Sequence, residues 1–162
     1  MFFVEKFPVF LYNNGNLTDI NTEDITMANV KELLKAEENG SLSFGDYSLT
    51  QKTKLDDFSF EGDTYTVKTF QEITRLEKNG GVVYESVPGS AVHGYKETER
   101  QIVFETEAAD DLQITLEVEP EKEYKVYVND TNIGKLKSSL SGKISFSIEL
   151  DAGETAKVQI VK

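Results

Sequence analysis

From Leu112 to the C-terminus, apolar and polar side chains alternate almost without error. Leu112, Ile114, Leu116 and Val118 are separated by Gln113, Thr115 and Glu117, and Ile144, Phe146, Ile148 and Leu150 by Ser145, Ser147 and Glu149. A period of two sends one set of side chains to a core and the other to water, as half-buried antiparallel strands require. The wet face this pattern predicts carries Ser, Thr, Lys and Glu rather than a reactive cluster.

Turn signals divide the rest of the chain into short strands. Glu61-Gly62-Asp63 separates Phe58–Phe60 from Thr64–Val67, a hairpin signal. Asn79-Gly80-Gly81 separates 72–77 from 82–87, and Asn-Gly favours the positive φ angles of a type I′ turn. Gly45-Asp46 separates Ser41–Phe44 from Tyr47–Leu49, and a further pair is expected at 92–96 and 101–106. Strands near 112–118, 123–129, 143–150 and 155–161 follow, with a shorter one at 133–137 and a turn at Asn129-Asp130-Thr131-Asn132. Leu116, Val126, Ile148 and Ile160 are expected to face one interior.

One stretch reads differently. Val30, Leu33, Leu34 and Glu37 follow helical spacing after Thr26 as N-cap and Met27, with Gly40 as the stop. The pattern predicts a short helix over 27–39. The expected fold is therefore mainly β with an α+β N-terminal part: one helix, then antiparallel hairpins and a small C-terminal β-sandwich. The expected divisions are an extension at 1–26, a helix-and-hairpin domain at 27–100 and a sandwich domain at 101–162. In the extension, Phe7, Val9 and Leu11 alternate, which suits an assembly arm that adds to a sheet edge.

Charge narrows the function classes. The chain carries 29 acidic and 17 basic residues, a formal net charge of −12. That field repels phosphate backbones and anionic bilayers, so neither nucleic acid nor membrane is an expected partner. The absence of cysteine removes thiol catalysis and thiolate metal sites. The opening Met1-Phe2-Phe3-Val4-Glu5-Lys6 reads as neither signal peptide nor membrane span, so the cytoplasm is the default expectation and a particle or cell surface the alternative.

Candidate chemistry is sparse. His93 is the only histidine, which rules out a His-based metal cluster and is read as a surface or packed side chain. Asp56-Asp57 and Asp110-Asp111 are adjacent pairs, and adjacent residues of a strand point to opposite faces, so they make poor calcium ligands. The oxygen-rich 129–132 segment suits a turn that satisfies its own backbone. No phosphate-cradling glycine pattern and no Walker lysine occur. No metal, cofactor or catalytic residue is assigned. The surface feature that remains is aromatic: Tyr127 lies on the polar face between Val126 and Val128, and Tyr65, Tyr84 and Tyr95 are expected to join it as a ligand or partner surface.

The segments Tyr65-Thr66-Val67-Lys68-Thr69, Glu72 to Gly80 and Tyr84-Glu85-Ser86-Val87-Pro88-Gly89 resemble a family of short acidic proteins of anaerobic gut bacteria. The likeness runs from about Met27 to the C-terminus. Some members carry the name endosialidase, which implies hydrolysis of sialic-acid polymers or a place in phage tail-spike machinery. Sialidases clamp a carboxylate with an arginine cluster, whereas this chain has only Arg75 and Arg100 and no tryptophan. No catalytic residue carries over. Tyr124–Asn129, Ile133–Leu136 and Gly142–Phe146 also resemble small β-domains appended to carbohydrate-active or surface proteins. The expected function is a non-catalytic interaction or structural module with a protein partner or a second copy, in a phage-like or cell-surface assembly. The alternative is a polysaccharide-active hydrolase or carbohydrate-binding module.

Overall fold

A computed structural model describes residues 32–162, and the extension at 1–26 lies outside them. The described residues form thirteen strands and no helix. They are β1 (Leu34–Ala36), β2 (Leu42–Phe44), β3 (Thr53–Phe60), β4 (Asp63–Phe70), β5 (Ile73–Lys78), β6 (Gly81–Val87) and β7 (Ala91–Glu97). After them come β8 (Gln101–Glu107), β9 (Leu112–Glu117), β10 (Glu123–Val128), β11 (Thr131–Lys137), β12 (Lys143–Ile148) and β13 (Thr155–Val161). One sheet runs β1-β2-β7-β8-β13-β10-β11 and the other β12-β9-β6-β5-β4-β3, and the paired strands are antiparallel. Among the described residues no helix is long and apolar enough to cross a membrane.

The expected helix is not there. Residues 27–31 lie outside the described residues, Leu33 takes a positive φ of 69°, and Leu34–Ala36 is strand β1. Its partner is β2, with Leu34 opposite Phe44 and Ala36 opposite Leu42. Asn39-Gly40 ends no helix; it turns a hairpin in which Glu37 N–H donates to Ser41 O at 2.8 Å. Pairing with β2 and burial of Leu34 override the helix preference of the Lys, Ala and Glu around it. Tyr47–Leu49 is likewise a turn rather than a strand, stapled by Ser48 N–H donating to Asp46 Oδ1 at 2.9 Å.

The two sheets pack face to face as a β-sandwich around one core. Phe44, Val92, Phe104, Val126 and Ile160 of the first meet Val67, Leu76, Tyr84, Leu116 and Ile148 of the second. Tyr84 bridges the layers, its ring edge-on to Phe44 at 5.3 Å and to Phe104 at 5.6 Å between centroids. Leu116, Val126, Ile148 and Ile160 share this interior as the alternation requires. The boundary expected at residue 100 runs through both sheets: β7 pairs with β8, and β6 pairs with β9. The strands after that boundary contribute to each layer, but each layer continues into strands from the stretch before them.

A chain of hydroxyls clamps the passage from β6 to β7. Thr74 Oγ1 donates to Ser90 O and accepts from Ser90 N–H, each at 2.9 Å. Thr69 Oγ1 lies 2.8 Å from Thr74 Oγ1 and accepts from Asp46 N–H at 2.9 Å. Ser90 Oγ then reaches Ser86 Oγ at 2.7 Å and the Tyr84 hydroxyl at 2.9 Å. Thr69, Thr74, Ser86 and Ser90 are fully buried, so every one of these bonds satisfies a group that water cannot reach. Gly89 sits where the crossover passes β4, and a Cβ there would stand 2.0 Å from Phe70 O.

Candidate functional site

On the outer face of the seven-stranded sheet, β7 departs from regular pairing. Its register against β8 shifts between His93 and Lys96, and Gly94 takes a φ of 70°. The extra residue lets Val92 and Tyr95, three positions apart, both point inward. Gly94 N–H donates to Ser43 Oγ at 3.2 Å, and Ser43 Oγ donates to Glu37 Oε2 at 2.6 Å. The bulge leaves an open groove of about 850 Å³ whose lining includes Lys35, Glu37, Ser43, His93, Glu105 and Lys157. Register places His93 opposite Glu105 and Glu105 opposite Lys157, a row of mixed charge across three strands. His93 is half-buried, with Nε2 shut off from solvent and no hydrogen-bond partner among the described residues.

This groove offers carboxylates and ammonium groups to a polar ligand, without an aromatic platform among those side chains. Among the described residues no group of three or more His, Asp or Glu side chains is placed to hold a metal ion. Asp110 and Asp111 serve the backbone instead, while Asp56 accepts from Thr66 Oγ1 and pairs with Lys54. Asp111 Oδ1 accepts from Leu150 N–H at 2.8 Å, and Asp56 and Asp57 occupy a bulge of β3, with Asp57 at a φ of 60°. Asn129 and Asp130, both at positive φ, turn the β10–β11 hairpin.

The tyrosine surface read from sequence does not form. Tyr84 is fully buried, and Tyr65 and Tyr95 are each only 7% exposed. Burial pushes the Tyr84 and Tyr95 phenols above their ordinary range, as stripping water from the phenolate must. Tyr127 alone keeps the outward direction, half-buried beside Gln159 and Asn132. Tyr65 and Tyr95 do come together, lining a pocket of about 120 Å³ with Glu61, Asp63, Lys78 and Glu97 at the rim between the sheets. That volume holds a few waters, not a sugar ring.

A different surface stands out at the rim formed by β11 and β12. Contacts between β1 and β3 put those two edges together, so β11 and β12 share the opposite side. Two of the exposed large apolar side chains lie here, Ile133 at 48% on β11 and Leu140 at 81% just before β12. Three of the four sheet edges are blunted. β1 has three residues, β3 carries the Asp56-Asp57 bulge, and β11 has Gly134 at a φ of 131° with Lys135 and Lys137. β12 is less protected: Lys143 at its start is capped, its N–H donating to Ser139 Oγ and its C=O accepting from Ser139 N–H, but the rest is a regular strand paired among the described residues only with β9. Sequence reading missed this edge although its signal, unbroken alternation with serines on the wet side, was plain. It also missed the groove, because Glu37 had been assigned to a helix and Ser43 to an unplaced strand.

No protein-family model, curated protein or solved structure matches this chain.

Proposed function

We propose that this chain is a non-catalytic interaction module that joins an assembly by strand pairing at the β12 edge. A phage-like particle or a cell surface is the setting that suits it, in keeping with the resemblance to short acidic gut-bacterial proteins. The observation that supports the reading is the contrast among edges of the described sheets. Three are blunted, while on β12 the outward side beyond the capped Lys143, at Ser145 and Ser147, faces no strand of the described sheets, which is how one sheet recruits a strand from another chain. Exposed Ile133 and Leu140 on the same rim add apolar surface of the kind that partners cover.

A second reading, action on or binding to a polysaccharide, is favoured by the groove beside His93, where Glu37 and Glu105 line one open cleft. Assay of the purified chain against sialic-acid polymers and neutral glycans separates the two. The interaction reading expects no turnover and no glycan-dependent quenching of tyrosine fluorescence. Turnover that disappears in Glu37→Gln or Glu105→Gln would overturn it.

A further inference from the structure

Two Asn-Gly pairs lie among the described residues, Asn39-Gly40 in the β1–β2 hairpin and Asn79-Gly80 in the β5–β6 hairpin. An asparagine followed by glycine is open to attack by its own backbone, because glycine has no Cβ to shield the attacking nitrogen. Both asparagines are exposed, so access of water does not separate them. Their bonding does.

Asn39 is held as an electrophile. Ser41 N–H donates to Asn39 Oδ1 at 3.1 Å, and the Ser41 hydroxyl donates to the same oxygen at 2.5 Å. A side-chain carbonyl bonded to the second residue ahead arches over the peptide between them, which carries its carbon toward the Gly40 nitrogen. The two donors also stand where negative charge gathers on that oxygen once the nitrogen adds. On the same peptide, the Lys96 ammonium donates to Asn39 O at 3.1 Å. A cation on that carbonyl oxygen stabilises the anion left when Gly40 gives up its amide proton.

Asn79 is held the other way. Its Oδ1 reaches back across the hairpin to accept from Thr64 N–H at 3.0 Å, and its amide nitrogen donates to Asp63 Oδ1 at 2.9 Å. Both bonds draw the carboxamide onto β4 and away from Gly80. The Asp63 carboxylate also opposes negative charge forming beside it.

We infer that Asn39-Gly40 is a self-modifying site in the wall of the groove beside His93. The Gly40 nitrogen, having lost its proton to solvent base, bonds to Asn39 Cγ. The Cγ–Nδ2 bond breaks, Nδ2 takes up a proton and leaves as ammonia, and a five-membered imide remains. Water opens that ring at either carbonyl and leaves aspartate or isoaspartate at the same position, with no oxidant or other co-reactant. Each product sets a new carboxylate beside Glu37 and Glu38, which line the groove together with Asn39. Isoaspartate also adds a main-chain carbon to the loop and breaks the register in which Glu37 N–H meets Ser41 O. The charge and shape of the groove therefore change with the age of the chain.

Peptide mapping after incubation in mildly alkaline buffer tests this. Trypsin separates the two sites, since Asn39 falls in 36–52 and Asn79 in 79–96, and mass spectrometry reads the conversion of amide to acid in each. In the folded full chain Asn39 should convert at least about ten-fold faster than Asn79, and in urea the two rates should come within about two-fold of each other. Ser41→Ala keeps the N–H donor and removes the hydroxyl, so it should slow Asn39 about ten-fold. Lys96→Met should slow it about three-fold, and neither change should alter Asn79. Lys96 is exposed, so its substitution keeps the test in force if Ser41→Ala weakens the fold. Equal rates in the folded chain, or Asn79 ahead, overturn the inference. So does an Asn39 rate indifferent to both substitutions.

Discussion

Replacing Thr74 with valine keeps the shape of a fully buried side chain and deletes one oxygen, and the structure says what that oxygen holds. Thr74 Oγ1 accepts from Ser90 N–H, donates to Ser90 O and meets Thr69 Oγ1, all between 2.8 and 2.9 Å. Ser90 and Thr69 are as buried as Thr74, so no solvent replaces the lost partner. Two backbone groups and one hydroxyl are left unpaired at about 1–3 kcal/mol each, and partial relaxation brings the expected loss to about 3–5 kcal/mol. Against a total stability of about 5–15 kcal/mol, that is a large fraction. Thr74→Ser keeps the oxygen and removes one methyl, so it should cost only about 1 kcal/mol. Urea denaturation followed by far-ultraviolet circular dichroism measures both. Thr69→Val, combined with Thr74→Val in a double-mutant cycle, should show coupling of about 1 kcal/mol, since the two hydroxyls share a bond. A Thr74→Val protein within about 0.5 kcal/mol of the unaltered chain would refute the claim that these hydroxyls clamp the crossover.

Val126, fully buried where β10 faces the other sheet, should not tolerate aspartate; Val126→Asp is expected to lose cooperative unfolding, and an unchanged melt would overturn the register of β10. Gly89→Ala would force a Cβ to 2.0 Å from the Phe70 carbonyl, so a drop of more than about 2 kcal/mol in urea stability is expected, and a neutral result would refute that close passage. Alkaline unfolding should follow from the tyrosines. Burial raises the Tyr84 and Tyr95 phenols above the ordinary value of 10.0, so the folded state keeps protons that the unfolded state releases. Stability is then full below pH 10 and falls as pH rises beyond it. Burial raises the Tyr47 and Tyr65 phenols as well, so Tyr95→Phe should flatten only part of that fall in equilibrium unfolding between pH 10 and 11.

The strands legible in the sequence are those whose pairing is regular. β9, β12 and β13 keep strict alternation because nothing interrupts their ladders, and their inward residues are those the period of two assigns. The turn at Asn79-Gly80 was legible for a local reason: both residues take positive φ, 51° and 87°, as its composition requires. Where a bulge adds a residue, parity reverses, and no count along one strand reveals it. In β6 the register shift opposite Leu76 and Glu77 lets Val83 and Tyr84 both turn inward. In β7 the shift after His93 does the same for Val92 and Tyr95. Two of the four tyrosines were misplaced for this reason. Tyr65 was not hidden in that way: it shares a face with Val67 and Thr69, and simple alternation along β4 puts it in the core.

The same asymmetry explains why the groove was invisible and the pairing competence of the open edge was not. Glu37, Ser43, His93 and Glu105 come from separate stretches of chain and meet only because β2, β7 and β8 are neighbours, a fact of sheet order that local periodicity does not encode. An edge needs no such long-range information to be recognised as pairable. The competence of β12 is written in its own consecutive residues: alternation without a break, no proline, no bulge and charges only at its ends. What sequence alone did not supply was that β12 lies at an edge, because strand order decides which ladders remain open.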